Sequence, residues 1–238
     1  MARADIVVSS LSFQAGIPGL FFVRISVKAD FSRAKALIDG TIKQVPFATA
    51  TALTATARAV QREIEREIDQ VFNAPVTFTR RGVGITPATK LELRAEVFLK
   101  RKQAAYLEAQ IAGGARRRRP FEAQFSKQLG RRLAASVPGQ GAPIDQAGNI
   151  KRAVITRIGR AVANRKGKYF EAKPGGPLQP GIYERQAGRK ISPILIFSQQ
   201  PAKYTRRLDF FGIGRKVVAV QWPVQFSRAF QRAVATAK

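Results

Sequence analysis

Cysteine and histidine are absent from this chain of 238 residues. Their absence excludes disulfides, thiolate or imidazole metal ligands, His-based triads and imidazole acid/base catalysis, which removes most common enzyme designs at once. It fixes no compartment, because a chain without Cys tolerates any redox environment. Acidic side chains are scarce as well: 15 Asp and Glu stand against 42 Lys and Arg, a formal net charge of +27. Such a field raises self-repulsion, so the expected partner is polyanionic, either nucleic acid or an acidic protein surface. A long apolar run is also lacking. The longest uncharged stretch, residues 6–23, is interrupted by Ser9, Ser10, Ser12, Gln14, Gly16, Pro18 and Gly19 and makes a poor spanning helix. Asp5 and the lack of a clean small-residue cleavage site argue against a signal peptide. The expectation is a soluble protein without targeting and without a membrane partner.

What is present reads as a folded protein. Apolar residues make up 45% and charged residues 24%, close to globular averages. The length suits one large domain or two small ones. We expect one α+β domain over residues 1–238, with a basic, loop- and arm-rich region at about 113–180. Alternation over residues 21–28 predicts a strand. A short helix is expected from an Asp30 cap to about residue 43. The strongest helix signal is residues 46–72, where Leu53, Ala57, Val60, Ile64, Ile68 and Val71 recur every three or four positions. Its first half carries Ala48, Ala50, Ala52, Ala55 and Ala57, small enough for another backbone to approach closely.

Residues 76–79 read as a strand, and residues 91–100 alternate clearly, which together suggest a wide antiparallel hairpin. Helices are expected at 103–111, just after Pro120 through Phe121, Phe125 and Leu129, and from an Asn149 cap to Asn164. Residues 136–149 read as an exposed loop or extended arm, and residues 165–180 as loop with a strand start at Tyr169-Phe170. A second hairpin spans 182–185 and 191–197, with Pro193 suggesting an edge. Residues 204–237 read as two helices divided near Trp222-Pro223. There is no internal repeat.

Charge is concentrated late in the chain. Residues 1–123 hold 20 basic and 11 acidic side chains, whereas residues 124–238 hold 22 and 4. Arg116, Arg117, Arg118 and Arg119 form the most conspicuous cluster, able to contact phosphates or carboxylates of a neighbouring subunit. The helix after Asn149 adds Lys151, Arg152, Arg157 and Arg160, and the loop beyond adds Arg165, Lys166 and Lys168. These residues are the candidates for contact with a partner or DNA. No helix-turn-helix or aromatic stacking motif supports sequence-specific readout. Gly82-Val83-Gly84 and Gly212-Ile213-Gly214 complete neither a dinucleotide fingerprint nor a Walker A loop and read as turns or helix breaks. Glu63, Glu65, Glu67 and Asp69 sit among Arg58, Arg62 and Arg66, which suggests surface pairs such as Arg62 with Glu65 and Arg66 with Asp69.

From Pro46 through the Ala-rich helix to Pro75-Val76-Thr77-Phe78-Thr79, the chain resembles tailed-bacteriophage minor tail proteins of the tail protein Z type. The resemblance continues through Ala88-Thr89-Lys90, Gly113-Gly114-Ala115-Arg116, Arg119-Pro120-Phe121-Glu122 and Val137-Pro138. It runs on through Asp145, Gly148-Asn149-Ile150 and Pro180-Gly181-Ile182-Tyr183-Glu184-Arg185. As an ordered series these cover about two thirds of the chain. The resemblance implies a virion structural protein without catalysis or cofactor, acting in tail completion or head-to-tail joining. It would be made in the host cytoplasm and assembled in the tail or neck. The implied partners are further copies in a closed ring, neighbouring neck, portal-side or tail-tube proteins, and genomic DNA through non-specific contact. The alternative from the residues alone is a sequence-independent nucleic-acid-binding basic protein.

Overall fold

The apolar periodicity over residues 46–72 becomes a helix of 27 residues, α1 (Val45–Val71). Pro46 occupies its first turn, where a missing N–H breaks no helical bond, and the chain leaves through an extended Phe72. The computed structural model describes residues 4–7, 12–13, 21–22, 24–29, 44–146, 148–164 and 167–236. In chain order the strands are β1 (Ala4–Val7), β2 (Ser12–Phe13), β3 (Phe21–Phe22), β4 (Arg24–Ala29), β5 (Val83–Thr86), β6 (Arg94–Leu99), β7 (Gly114–Ala115), β8 (Ala135–Pro138), β9 (Tyr169–Ala172), β10 (Gly181–Arg185), β11 (Ile191–Ser198) and β12 (Lys203–Tyr204). The remaining helices are α2 (Thr77–Arg80), α3 (Arg101–Ala112), α4 (Pro120–Gln128), α5 (Arg152–Ala163) and α6 (Phe210–Ala235).

The fold is α+β, with every described strand pair antiparallel. Where one domain was expected, the chain gathers into two compact units. The first comprises Met1–Ala112 and Arg206–Lys238; the second, Gly113–Thr205, holds the stretch expected as arm and loop.

In the first unit the sheet runs β1-β4-β6-β5, and α1 packs on it together with α6. Leu53, Ala57, Val60, Ile64 and Ile68 are fully buried against Val97 of β6 and Phe210, Val218 and Trp222 of α6. Each large aliphatic among them contributes about 2 kcal/mol by leaving water. Ala48 and Ala52, fully buried, supply the close packing expected of the Ala-rich half.

Several local expectations change here. Residues 77–80 form a helical turn rather than a strand, because the Thr79 and Arg80 N–H groups donate to the Val76 carbonyl. The Gln103 side-chain amide donates to the Phe78 carbonyl, which ties the turn to α3. The hairpin strand is therefore β5, and its Gly84 lies opposite Phe98, whose ring leaves no room for a Cβ. On the other strand, Thr89 and Glu92 close a turn that leaves Leu91 wholly exposed, so pairing begins only at Arg94. Finally, α6 is one helix through Pro223 rather than two. The exposed proline ring faces solvent while Trp222, Phe226 and Phe230 stack with centroids 5.5 and 6.0 Å apart, keeping the inner face continuous. Along α1, Arg66 pairs with Glu63, and Asp69 pairs with Arg80 of α2 in place of Arg66. The strand expected over 21–28 is seen as β3 and β4, and the helix expected over 30–43 lies outside the described residues.

The second unit has a sheet ordered β8-β11-β10-β9, covered by α4 and α5 through Phe125, Leu133, Ile158, Ile182, Ile194 and Leu195. Residues 135–138 thus pair as a strand, and the following loop folds back on β11. The Gly139 and Gly141 N–H groups donate to the Ile194 and Pro193 carbonyls, an approach so close that a Cβ on Gly141 would meet the Ser192 side chain. Pro193 sits in an inner strand, not at an edge. It faces Tyr183 at a β-bulge, beyond the last residue of β8, where no ladder N–H is required. The helix expected from Asn149 begins at Arg152 with Lys151 at its cap, because Asn149 instead closes a turn with Asp145.

Candidate functional site

The second unit carries 19 basic and only 4 acidic side chains, a net of +15. All four carboxylates are engaged inside the unit: Glu122 by Arg116, Glu171 by Arg131 at 2.9 Å, Glu184 by Lys168 at 2.7 Å, and Asp145 by the Asn149 N–H. That leaves the unit with many more basic side chains than it has carboxylates to offer them.

The four-arginine run divides by role. Arg116 is not a partner-contacting side chain. It is 7% exposed and grips the fully buried Glu122 carboxylate through Nη1 at 2.9 Å and Nη2 at 2.6 Å. Glu122 also accepts from the Arg119 N–H at 2.7 Å, the Ser136 N–H at 2.8 Å and the Ser136 hydroxyl at 2.9 Å. Burial alone would raise the Glu122 pKa, but the bonds from Arg116, Arg119 and Ser136 outweigh it and hold the carboxyl below its ordinary value. The bonds it donates to Glu122 raise the Arg116 pKa. Five donors on one carboxylate tie the 113–119 loop, the start of α4 and β8 together. Arg117, Arg118 and Arg119 are exposed, Arg118 Nη1 lying 3.4 Å from the Leu133 carbonyl and Arg119 capping α4.

The structure brings three other candidates together. On α5, Ile158 and Val162 are buried, while Gly159 sits near the Phe125 ring and accepts from the Gln128 side-chain amide. The opposite face carries Arg152, Thr156, Arg157 and Arg160, which with Ala153 line a shallow open hollow of about 520 Å³. Among the described residues no carboxylate pairs with these three arginines. Lys151 is exposed at the cap of the same helix. Lys168 lies within electrostatic reach of Arg157, but it is paired with Glu184, a bond that raises its pKa and keeps it charged. Arg165 and Lys166 lie outside the described residues. None of residues 116–119 lines the α5 hollow.

A second basic hollow, in the first unit, was not foreseen. Arg81, Lys100, Arg101 and Lys102 surround the half-exposed Phe78 over about 480 Å³. The Lys100 N–H donates to the Gly82 carbonyl and its ammonium to the Arg81 carbonyl, which joins the two basic stretches. The Arg80-Arg81 pair and the 100–102 run are visible in the sequence, but reading residues 76–79 as a strand hides the helical turn that sets Arg81 beside Lys100. No helix among the described residues is long and apolar enough to cross a membrane. No protein-family model, no curated protein and no solved structure matches the chain.

Proposed function

We propose that this protein is a structural subunit of a tailed-bacteriophage particle, acting in tail completion or head-to-tail joining as a member of a ring. The observation that carries the reading is the second unit's charge: a net of +15 whose carboxylates are all engaged internally, suited to a position beside a polyanion. The ordered resemblance to tail protein Z-type sequences supports the same role. So do the apolar side chains left on the first unit's surface, Phe47, Leu91, Val220 and Val224, which a neighbouring subunit would cover. Repulsion between copies so strongly charged is then offset by the DNA or acidic partner they surround.

The test is an electron cryomicroscopy reconstruction of the parent particle together with the solution mass of the purified chain. Density between portal and tail, with a discrete oligomer in solution or on the particle, is the expected result. Absence from every particle, combined with a monomer that binds DNA tightly, would replace the reading with that of a free nucleic-acid-binding protein.

A further inference from the structure

We propose that the outer face of α5 is a docking surface for the phosphate backbone of duplex DNA, held without sequence readout by Arg152, Arg157 and Arg160. The three guanidinium groups share the side of the helix opposite Ile158 and Val162, so the packing that buries one face presents the other. From Arg152 to Arg160 the helix rises about 12 Å, which measured along the duplex axis is the rise of roughly three or four phosphates of one strand at 3.4 Å each. Each guanidinium offers a planar fork of donors matched to phosphate oxygens.

The composition of the face favours nucleic acid over an acidic protein. A protein interface needs an apolar or aromatic centre beneath its polar rim, whereas interfaces with DNA are polar and strongly positive. The hollow is lined only by three arginines, Thr156 and Ala153, and none of the second unit's exposed large apolar side chains, Val137, Ile144 and Ile191, lies on α5. The absence of a stacking aromatic on this face favours a duplex over splayed single-stranded bases. Lys168 adds little, because Glu184 already holds it.

The inference rests on the proposed virion role only in taking duplex DNA as the polyanion. Binding by purified protein and location in the particle fail independently of each other. The experiment measures binding of the full chain to a labelled random-sequence duplex of about 25 base pairs across a potassium chloride series. The triple variant Arg152→Ala, Arg157→Ala, Arg160→Ala is expected to flatten the slope of log K against log salt by about 2.7, or 0.9 per lost phosphate contact. Arg→Lys at the same positions is expected to keep most of the slope, which separates lost charge from lost fold. An equal loss of charge on α6, Arg215→Ala, Lys216→Ala, Arg228→Ala, is expected to change the slope far less. An unchanged slope in the α5 triple, or an equal change in the α6 control, overturns the proposal. Binding to polyglutamate but not to the duplex overturns it in favour of an acidic protein.

Discussion

Replacing Arg116 by Ala separates a structural arginine from three surface ones in the same run. The substitution leaves Glu122, fully buried, with three neutral donors: the Arg119 N–H, the Ser136 N–H and the Ser136 hydroxyl. Removing one partner of a buried ion pair costs about 3 to 5 kcal/mol, and the remaining donors place this case near the lower end, about 3 kcal/mol. The second unit's 93 residues support a total stability of about 5 to 14 kcal/mol at 0.05 to 0.15 kcal/mol per residue, so the loss is a large fraction. Hydrogen exchange on the full chain, read on peptides covering β10 and β11, reports this unit separately from α1 and α6. Protection there should fall about 100-fold or more in Arg116→Ala and stay within a few-fold in Arg117→Ala. Acidity supplies a second readout. The Glu122 pKa is depressed in the fold, so its contribution is complete above the ordinary carboxylate range and is lost as pH falls through the folded value. In Arg116→Ala burial is opposed only by the Arg119 and Ser136 bonds, so the acid-side loss should shrink. Equal protection in the Arg116 and Arg117 variants, with unchanged acid sensitivity, would refute the assignment of Arg116 as an anchor.

Trp222→Ala should destabilise the first unit by about 3 to 5 kcal/mol, read by urea denaturation, because the buried indole stacks on Phe226 between α6 and the core. Pro223→Ala should stabilise it by about 1 to 2 kcal/mol, since α6 is continuous and the ring is exposed; a lower melting temperature would show that a break is required there. Gly84→Val should cost about 1 to 3 kcal/mol, with Phe98→Ala partly rescuing it in a double-mutant cycle. On the proposed virion role, the triple variant Arg117→Ala, Arg118→Ala, Arg119→Ala should leave melting nearly unchanged while lowering particle assembly; normal yield and infectivity would remove these residues as partner contacts.

The elements visible in the sequence are those whose signal is local. α1 and α5 declare themselves through a three-to-four-residue apolar repeat, and the basic face of α5 is what that repeat leaves over. Features set by distant partners were hidden. Nothing local distinguishes Arg116 from Arg119; only the pairing of β7 with β12 and the position of Glu122 select the one that turns inward. The Glu122 side chain on the Arg119 N–H is the half of a capping pattern that could have drawn attention to this acid. Likewise Val76 and Thr77 have strand propensity, yet hydrogen bonds from α3 hold a helical turn, and Leu91 continues an alternation that a Thr89 turn interrupts. Pro223 reads as a helix break until the buried aromatic row on the other side is known.

The division of the first unit's chain sets an order of events during synthesis. α1 emerges early, but α6, which covers it, follows only after the 93 residues of the second unit. About 140 residues separate Ile68 from the start of α6, so at roughly 5 to 20 residues per second the Leu53 to Ile68 face waits about 7 to 28 s for its cover. The second unit is continuous, and β7 and β12 bring its ends side by side, so it can complete its own core within that interval. The vulnerable period of this protein is therefore the wait of a finished insert behind an unfinished host, when the apolar stripe of α1 is open to aggregation or to a holding chaperone.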